Sequence, residues 1–427
     1  MYSILKACLI VRSMDNSVGR DRVFQSAMKN SFSMRLANRL YSTGPEWLRA
    51  VLLLLYGAKC YASVSRATDR ASDLLFLGSY PSEKRVLGRV RQNLEGIVSE
   101  DMSISVWNCL RPGAVASILC YSLFAFRLMR FSRQLARQYS FMPACRIFSV
   151  VPYYARSKRL LLPSPQAVFI ASQYAPESLA LASAAHAYSK KVFFVNHANA
   201  TWRGSYVPPI HADLVGVSSQ AIADMFQANS KKPLKILFWP VGDAQESMRK
   251  VSQHSGALRV GIYLTALTNE HRLGELVKNC HKNTSIATTF VRAHPVKVVQ
   301  PTLENVDLEQ FSCEISTNNL LADDIRRTDL AICGNSTVAT EILRAGRPVL
   351  YDAGLDSMQY DYNGYLEAGL LMKYSDFVGQ DMLKEIDKFY SSEQWLSLMR
   401  YFDCAYQQDE QKMRAGFSEA IERELDH

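Results

Sequence analysis

Acidic residues are missing from a long central stretch. None lies between Asp101 and Glu177, in a chain with 40 Asp and Glu against 49 Lys and Arg. The same stretch carries Arg111, Arg127, Arg130, Arg133, Arg137, Arg146, Arg156, Lys158 and Arg159. A one-signed block of this kind is either a solvated basic face or a patch that holds anionic lipid or a polyanionic acceptor. The net charge of +9 also points to an anionic partner. Nucleic acid is not that partner, because no recognition-helix, RRM or zinc-finger pattern accompanies the charge. No CxxC pair occurs among the nine cysteines, an odd number, and several lie in apolar runs. Buried free thiols in a reducing compartment account for them better than disulfides or zinc. Walker A and GxSxG sequences are also missing, and no GxGxxG follows a first strand. These absences argue against kinase, hydrolase and dehydrogenase chemistry.

Long apolar runs are scarce. Val51–Tyr56 is short, and the nearly uncharged Gly113–Met129 falls short of the ~20 residues of a spanning helix. Arg127 interrupts its end, so a buried or interfacial helix is expected. Arg127, Arg130, Arg133 and Arg137 follow at helical spacing, which suits peripheral binding to a cytoplasmic leaflet. The opening MYSILKACLIVRSM has a short apolar run soon met by charge and no clear small-residue cleavage site. The expected location is cytoplasmic, with peripheral contact to the inner membrane through residues 111–159.

The 427 residues exceed one ordinary core, so two domains of roughly 150–250 residues are expected. Residues 1–71 read as a helical N-terminal extension. From residue 72 to 245, short apolar strands alternate with helices. Strands are expected at Leu74–Leu77, Ile104–Trp107, Ala167–Ala171, Val192–Asn196, Leu214–Val217 and Leu234–Trp239. Polar Asp243–Leu258 reads as a linker. The alternation restarts over residues 257–390, with strands at Leu258–Leu264, Ile286–Val291, Cys313–Ser316, Leu330–Cys333 and Val349–Tyr351. Residues 391–427 read as a helical tail that packs back. The fold class is α/β, with two doubly wound, Rossmann-like domains facing a cleft.

In such sheets ligands bind beyond the carboxyl ends of the strands. Asp329–Glu341 is an apolar strand ending in Gly334, with Asn335 or Ser336 placed to cap the next helix. The N–H groups and hydroxyls of Ser336 and Thr337 there suit a phosphate, and Glu341 can accept from ribose hydroxyls. The same pattern also occurs as ordinary helix capping. Arg292–Ala–His294–Pro295 follows another strand end, where guanidinium and imidazole can meet phosphate and His294 can protonate a departing phosphate. Thr265, after the first strand of this unit, can add a donor to the same phosphate.

The His–Pro and Ser–Thr pair resembles the motifs of bacterial sialyltransferases of the GT-B fold. It is also similar to capsular-polysaccharide transferases that use CMP-Kdo or CMP-sialic acid, and to CDP-glycerol glycerophosphotransferases. The resemblance covers Gly261–Asp356 best. It implies that His294, Pro295, Ser336 and Thr337 hold the nucleotide phosphate and cytidine ribose, and that Glu341 matches a ribose-binding Glu of GT-B transferases. Sialyltransferases carry an acidic–acidic–Gly motif in the first domain as catalytic base, and none occurs between Ser72 and Asp243. The replacement is His197, in Val195–Gly204 after a buried strand, with Trp202 to stack on a sugar and Arg203 to hold an anion. A loop histidine satisfied by backbone carbonyls is the competing reading. Glu177 is the second candidate base, or a first-turn helix acid.

The expected function is that of an inverting glycosyltransferase. It transfers a sugar from a nucleotide-linked donor, CMP preferred, to a bacterial surface or capsular polysaccharide or a glycolipid. The donor is a substrate, and no cofactor is expected. No DxD sequence occurs, which argues for a metal-independent reaction. A CDP-glycerol-type phosphotransferase, a UDP-sugar transferase or 2-epimerase-like enzyme, and a non-catalytic transferase-like scaffold are the alternatives.

Overall fold

Leu74–Leu77, Ala167–Ile170, Leu214–Val217 and Leu330–Cys333 are strands buried at every position. Only a sheet covered on both faces demands that. The computed structural model describes residues 2–15, 32–66, 72–110, 114–162, 165–198, 201, 206–240, 246–265, 267–294, 308–311, 313–316, 319–357, 360–374, 380–407 and 409–426. In chain order the first part forms α1 (Tyr2–Asp15), α2 (Phe32–Thr43), α3 (Glu46–Ser63), β1 (Val64–Arg66), β2 (Leu74–Leu77), α4 (Pro81–Gln92) and β3 (Ser99–Ile104). A 3-10 turn at Val106–Leu110 leads into α5 (Ala114–Gln138), α6 (Phe141–Leu161), β4 (Ala167–Ile170), α7 (Pro176–Ala187), β5 (Lys191–Val195), β6 (Leu214–Val217), α8 (Gln220–Ala228) and β7 (Ile236–Phe238).

These strands make one sheet in the order β1-β3-β2-β4-β5-β6-β7. Only β1 runs antiparallel, at the edge. β1 belongs to the segment read as a helical extension. The strand expected at Ile104–Trp107 is instead β3, and residues 106–110 form the 3-10 turn. The displaced reading has a physical cause. One of the two buried positions of β3 is Glu100, whose carboxylate accepts from Arg66 Nε at 2.9 Å. A buried charge matched by a partner leaves no apolar periodicity to read. The helices α1, α2, α3, α5 and α6 share a core that includes Val11, Leu53, Tyr121, Leu135 and Phe148 and reaches Leu179 and Ala180 of α7. At Gly57 a side chain would run into the Tyr121 hydroxyl, so the missing Cβ lets α3 and α5 pack closely.

The second part contains β8 (Leu258–Tyr263), α9 (Glu270–Lys282), β9 (Ile286–Arg292), β10 (Glu314–Ser316), α10 (Leu321–Arg327), β11 (Leu330–Cys333), α11 (Val338–Arg344), β12 (Val349–Tyr351), β13 (Met372–Lys373), α12 (Gln380–Tyr390), α13 (Glu393–Phe402) and α14 (Glu410–Leu425). Its sheet is parallel throughout, in the order β10-β9-β8-β11-β12-β13. This is the doubly wound order that reverses between β8 and β11. In the first sheet the reversal lies between β2 and β4. The protein is thus an α/β fold of two Rossmann-like domains. The tail crosses back: Phe417 of α14 packs against Phe169 and Trp239 of the first domain.

Two adjacent tail residues bind the two domains. The Asp403 carboxylate accepts from Arg344 Nε of α11 at 2.6 Å, both side chains being buried, and Cys404 N–H donates to the Ser218 carbonyl at 2.8 Å. Removing one partner of a buried pair strands the other charge. Asp403→Ala should therefore lower stability by about 3–5 kcal/mol, while the Arg344→Leu/Asp403→Leu double variant should lose less. Urea unfolding of both variants checks this.

Candidate active site

A cavity of about 440 Å³ lies between the domains. On one side it is lined by Ser82, Arg85, Val86 and Arg89 of α4 and by His197 beyond β5. On the other it meets Leu321, Ala322, Ile325 and Arg326 of α10 and Glu341 and Arg344 of α11, with Glu246 of the linker. Helices α4, α10 and α11 each follow a strand. His197 and the first turns of these helices therefore sit at the carboxyl edges of the two sheets, where a doubly wound fold places its ligands.

The neighbour of His197 fixes its position. Asn196 is buried; its Oδ1 accepts from Ser218 N–H at 2.8 Å, and its Nδ2 donates to Ser218 Oγ and to the Ala198 carbonyl, each at 3.0 Å. The His197 Nδ1 lies 2.6 Å from the Ala171 carbonyl at the end of β4. A carbonyl only accepts, so Nδ1 carries the proton and the ring's basic lone pair is on Nε2. Burial lowers the imidazole pKa, and the Ala171 hydrogen bond opposes this only in part. The ring is therefore neutral near pH 7. The backbone-satisfied reading of this histidine leaves Nε2 basic, since only Nδ1 is taken up by the Ala171 carbonyl. The Thr201 hydroxyl donates to the Asn363 carbonyl and ties this loop to the second domain.

In the second domain the expected phosphate-site residues have partners within the fold. The Thr265 hydroxyl and the Asn335 N–H both donate to the Asp356 carboxylate. Asn335 Nδ2 donates to the Tyr360 carbonyl at 2.8 Å, and Asn335 Oδ1 accepts from Tyr362 N–H at 2.7 Å. A carboxylate from β12's loop has taken the donors exposed at β11's end, and burial raises its pKa. Arg292 is likewise paired with buried Asp324, which also accepts from Ser316 at 2.6 Å. Both pairings have one reason: strand-end donors inside a packed edge find acidic partners from neighbouring segments, and sequence spacing does not show which segments those are.

His294 lies two residues beyond β9, and burial lowers its pKa. At neutral pH it offers a neutral ring rather than the expected acid. Ser336 and Thr337 lie beyond β11, with the Ser336 hydroxyl accepting from Val338 N–H at 3.4 Å. Helix α11 starts at Val338, two residues later than read, and is seven residues long. Strand β8 alone separates the strands that lead to His294 and Ser336. Neither residue lines the interdomain cavity; of the candidates, His197 and Glu341 do. Pro295, Trp202 and Arg203 lie outside the described residues. Glu177 is in the first turn of α7 and is not among the cavity-lining residues.

Sequence reasoning missed Arg85, Arg89 and Glu246. The turn Gly78–Ser–Tyr–Pro81 followed by two arginines four apart was the available signal for the first two. It also missed Glu83, whose carboxylate accepts from Ser79 N–H at 2.7 Å and Tyr80 N–H at 3.3 Å, capping α4. Among the described residues no group of three or more His, Cys, Asp or Glu is arranged to hold a metal ion.

Burial pushes the Glu83 carboxyl from 4.5 up to about 7, with Ser79 N–H opposing and Glu177 adding. The folded state then holds this proton more tightly than the unfolded chain. The resulting stability is complete below pH 4.5 and is lost as pH rises through about 7. Relative to Glu83→Gln, the wild type should lose up to about 3 kcal/mol over that window. Urea unfolding of both proteins across pH checks the difference.

No protein-family model and no curated protein matches the chain. Solved structures similar to it include a putative UDP-N-acetylglucosamine 2-epimerase from Listeria monocytogenes, at 12% identity and a TM-score of 0.47, covering 83% of this chain and 95% of that one. The UDP-GlcNAc 2-epimerase from Methanocaldococcus jannaschii aligns at 11% identity and a TM-score of 0.49, covering 82% and 99%. CalG4, the calicheamicin glycosyltransferase, aligns at 9% identity and a TM-score of 0.47, covering 84% and 99%. At these values no activity carries over from those proteins to this chain.

Proposed function

We propose that this chain is an inverting glycosyltransferase that uses a nucleotide-sugar donor and works in the cleft between its two domains. The observation that carries the reading is one cavity with His197 from the first domain on one wall and Glu341 from the second on the other. A neutral imidazole with its lone pair on Nε2 is suited to take the proton of an acceptor hydroxyl. The hydroxyl oxygen then bonds to the anomeric carbon as the bond from that carbon to the phosphate oxygen breaks, and the nucleotide phosphate leaves with the electron pair. Arg85 and Arg89 supply positive charge to the same cavity, and His294 and Ser336 offer neutral donors at the adjoining strand ends. Glu341 accepts from the ribose. The missing DxD sequence is the ground for a metal-independent reaction. The preference for a cytidine nucleotide and a surface-polysaccharide or glycolipid acceptor rests on the His–Pro and Ser–Thr resemblance.

Calorimetry with CMP, CDP and UDP tests the donor half. CMP binding is expected, and Glu341→Ala should weaken it roughly tenfold. Binding of UDP alone would move the reading to a uridine donor, and binding of none would remove it. For catalysis, His197→Ala should lower kcat by about 10²–10⁴ while nucleotide affinity is kept. His294→Ala and Ser336→Ala should each reduce transfer. Protonation of His197 abolishes its basic lone pair, and burial has lowered its pKa. The acid limb of kcat/KM should therefore lie below the ordinary imidazole value of about 6.5. Nucleotide binding without turnover on any donor would mark a non-catalytic scaffold instead.

A further inference from the structure

Among the described residues, the outer face of α5 has no partner in the fold that accounts for its composition. Tyr121, Leu128 and Leu135 turn inward to the helical core. Val115, Ile118, Leu119, Leu123 and Phe126 turn outward, with Leu123 83% and Phe126 85% exposed. Val115, Leu119, Leu123 and Phe126 recur every three or four residues, with Ile118 beside them, and so form one stripe. Arg127, Arg130, Arg133 and Arg137 extend that side of the helix toward its end and are all exposed. Helix α3 runs antiparallel beside α5: Tyr61 meets the Tyr121 ring near one end, and Glu46 bridges Arg137 at 2.6 Å near the other. It adds exposed Leu55 and Lys59. Exposed tryptophans mark both ends, Trp107 in the turn before α5 and Trp47 at the start of α3.

We infer that this face docks the protein in the plane of a bilayer containing anionic phospholipid. On a helix lying in the interface, Leu119, Leu123 and Phe126 enter the acyl boundary while the long arginine side chains that follow reach the lipid phosphates, and tryptophan favours that boundary. Charge complementarity selects an anionic bilayer over a neutral one. No acidic residue lies between Asp101 and Glu177, and Glu46, beside the stripe, is already paired with Arg137. Helix α5 is long and apolar enough to cross a membrane by composition. Its inner side, however, is packed from Tyr121 to Leu135 against the helical core, so only the outer face is available and the helix lies flat. The inference is independent of the reading of the cleft.

Co-sedimentation of the full chain with vesicles tests it, using phosphatidylcholine alone and phosphatidylcholine mixed two to one with phosphatidylglycerol. Strong partition is expected only on the mixed vesicles, weakening with salt. The Leu123→Glu/Phe126→Glu variant should reduce partition roughly tenfold or more. Should that variant fail to fold, Arg130→Gln/Arg133→Gln reads the same contact and should also reduce it. Alkaline carbonate should release the bound protein. Four results would overturn the inference: no partition of the wild type, equal partition of the folded variants, carbonate-resistant insertion, or a stable dimer in sedimentation velocity that Leu123→Glu/Phe126→Glu dissolves.

Discussion

The buried ion pair between Arg344 and Asp403 governs the rest of the molecule. Arg344 belongs to the last turn of α11 in the second domain and also lines the interdomain cavity. Asp403 belongs to the tail, and the next residue, Cys404, donates to Ser218 in the first domain. One guanidinium thus holds the tail to one domain while the adjacent amide holds it to the other. A buried charge pair tolerates little change in distance or angle before its desolvation is uncompensated. The separation of the two sheet edges, and with it the cavity, depends on that tolerance.

The constraint continues inward. Ser218 is hydrogen-bonded to Asn196, and Asn196 immediately precedes His197. The tail contact, the Ser218–Asn196 pair and the Nδ1 bond of His197 to Ala171 form a connected network from the domain junction to the imidazole. This is the support that the proposed base requires, because a ring free to rotate would not keep Nε2 in one direction. On the facing domain, Asp356 organises the strand ends by gathering Thr265 and Asn335. Cationic charge reaches the cavity from the opposite wall through Arg85 and Arg89 of α4.

Much of the sheet architecture was legible in the chain. Leu74–Leu77, Leu214–Val217, Leu330–Cys333 and Val349–Tyr351 are strands with the ends expected of them, because a short apolar run bounded by turn residues has few other stable uses. β3 was not legible, since its inward side chains include Glu100, and β13 was not, since two residues carry no period. Of the candidate site residues, His197, just past β5, and Glu341, inside α11, line the interdomain cavity. Thr265, Asn335 and Arg292 were found by their place at strand ends, yet their partners are Asp356 and Asp324.

The sequence by itself therefore determined the fully apolar strands, which of their ends carry polar side chains, and that a basic, acid-free stretch accompanies an apolar helix. These follow from local periodicity and composition. Tertiary structure alone decided which strand-end donors face a cavity and which face a carboxylate. It also decided which nitrogen of His197 is basic and that α5 turns its apolar stripe outward. Each of these depends on groups brought together from distant parts of the chain, and the physical reason is hydrogen-bond satisfaction: a donor at a packed edge takes whatever acceptor the fold delivers to it.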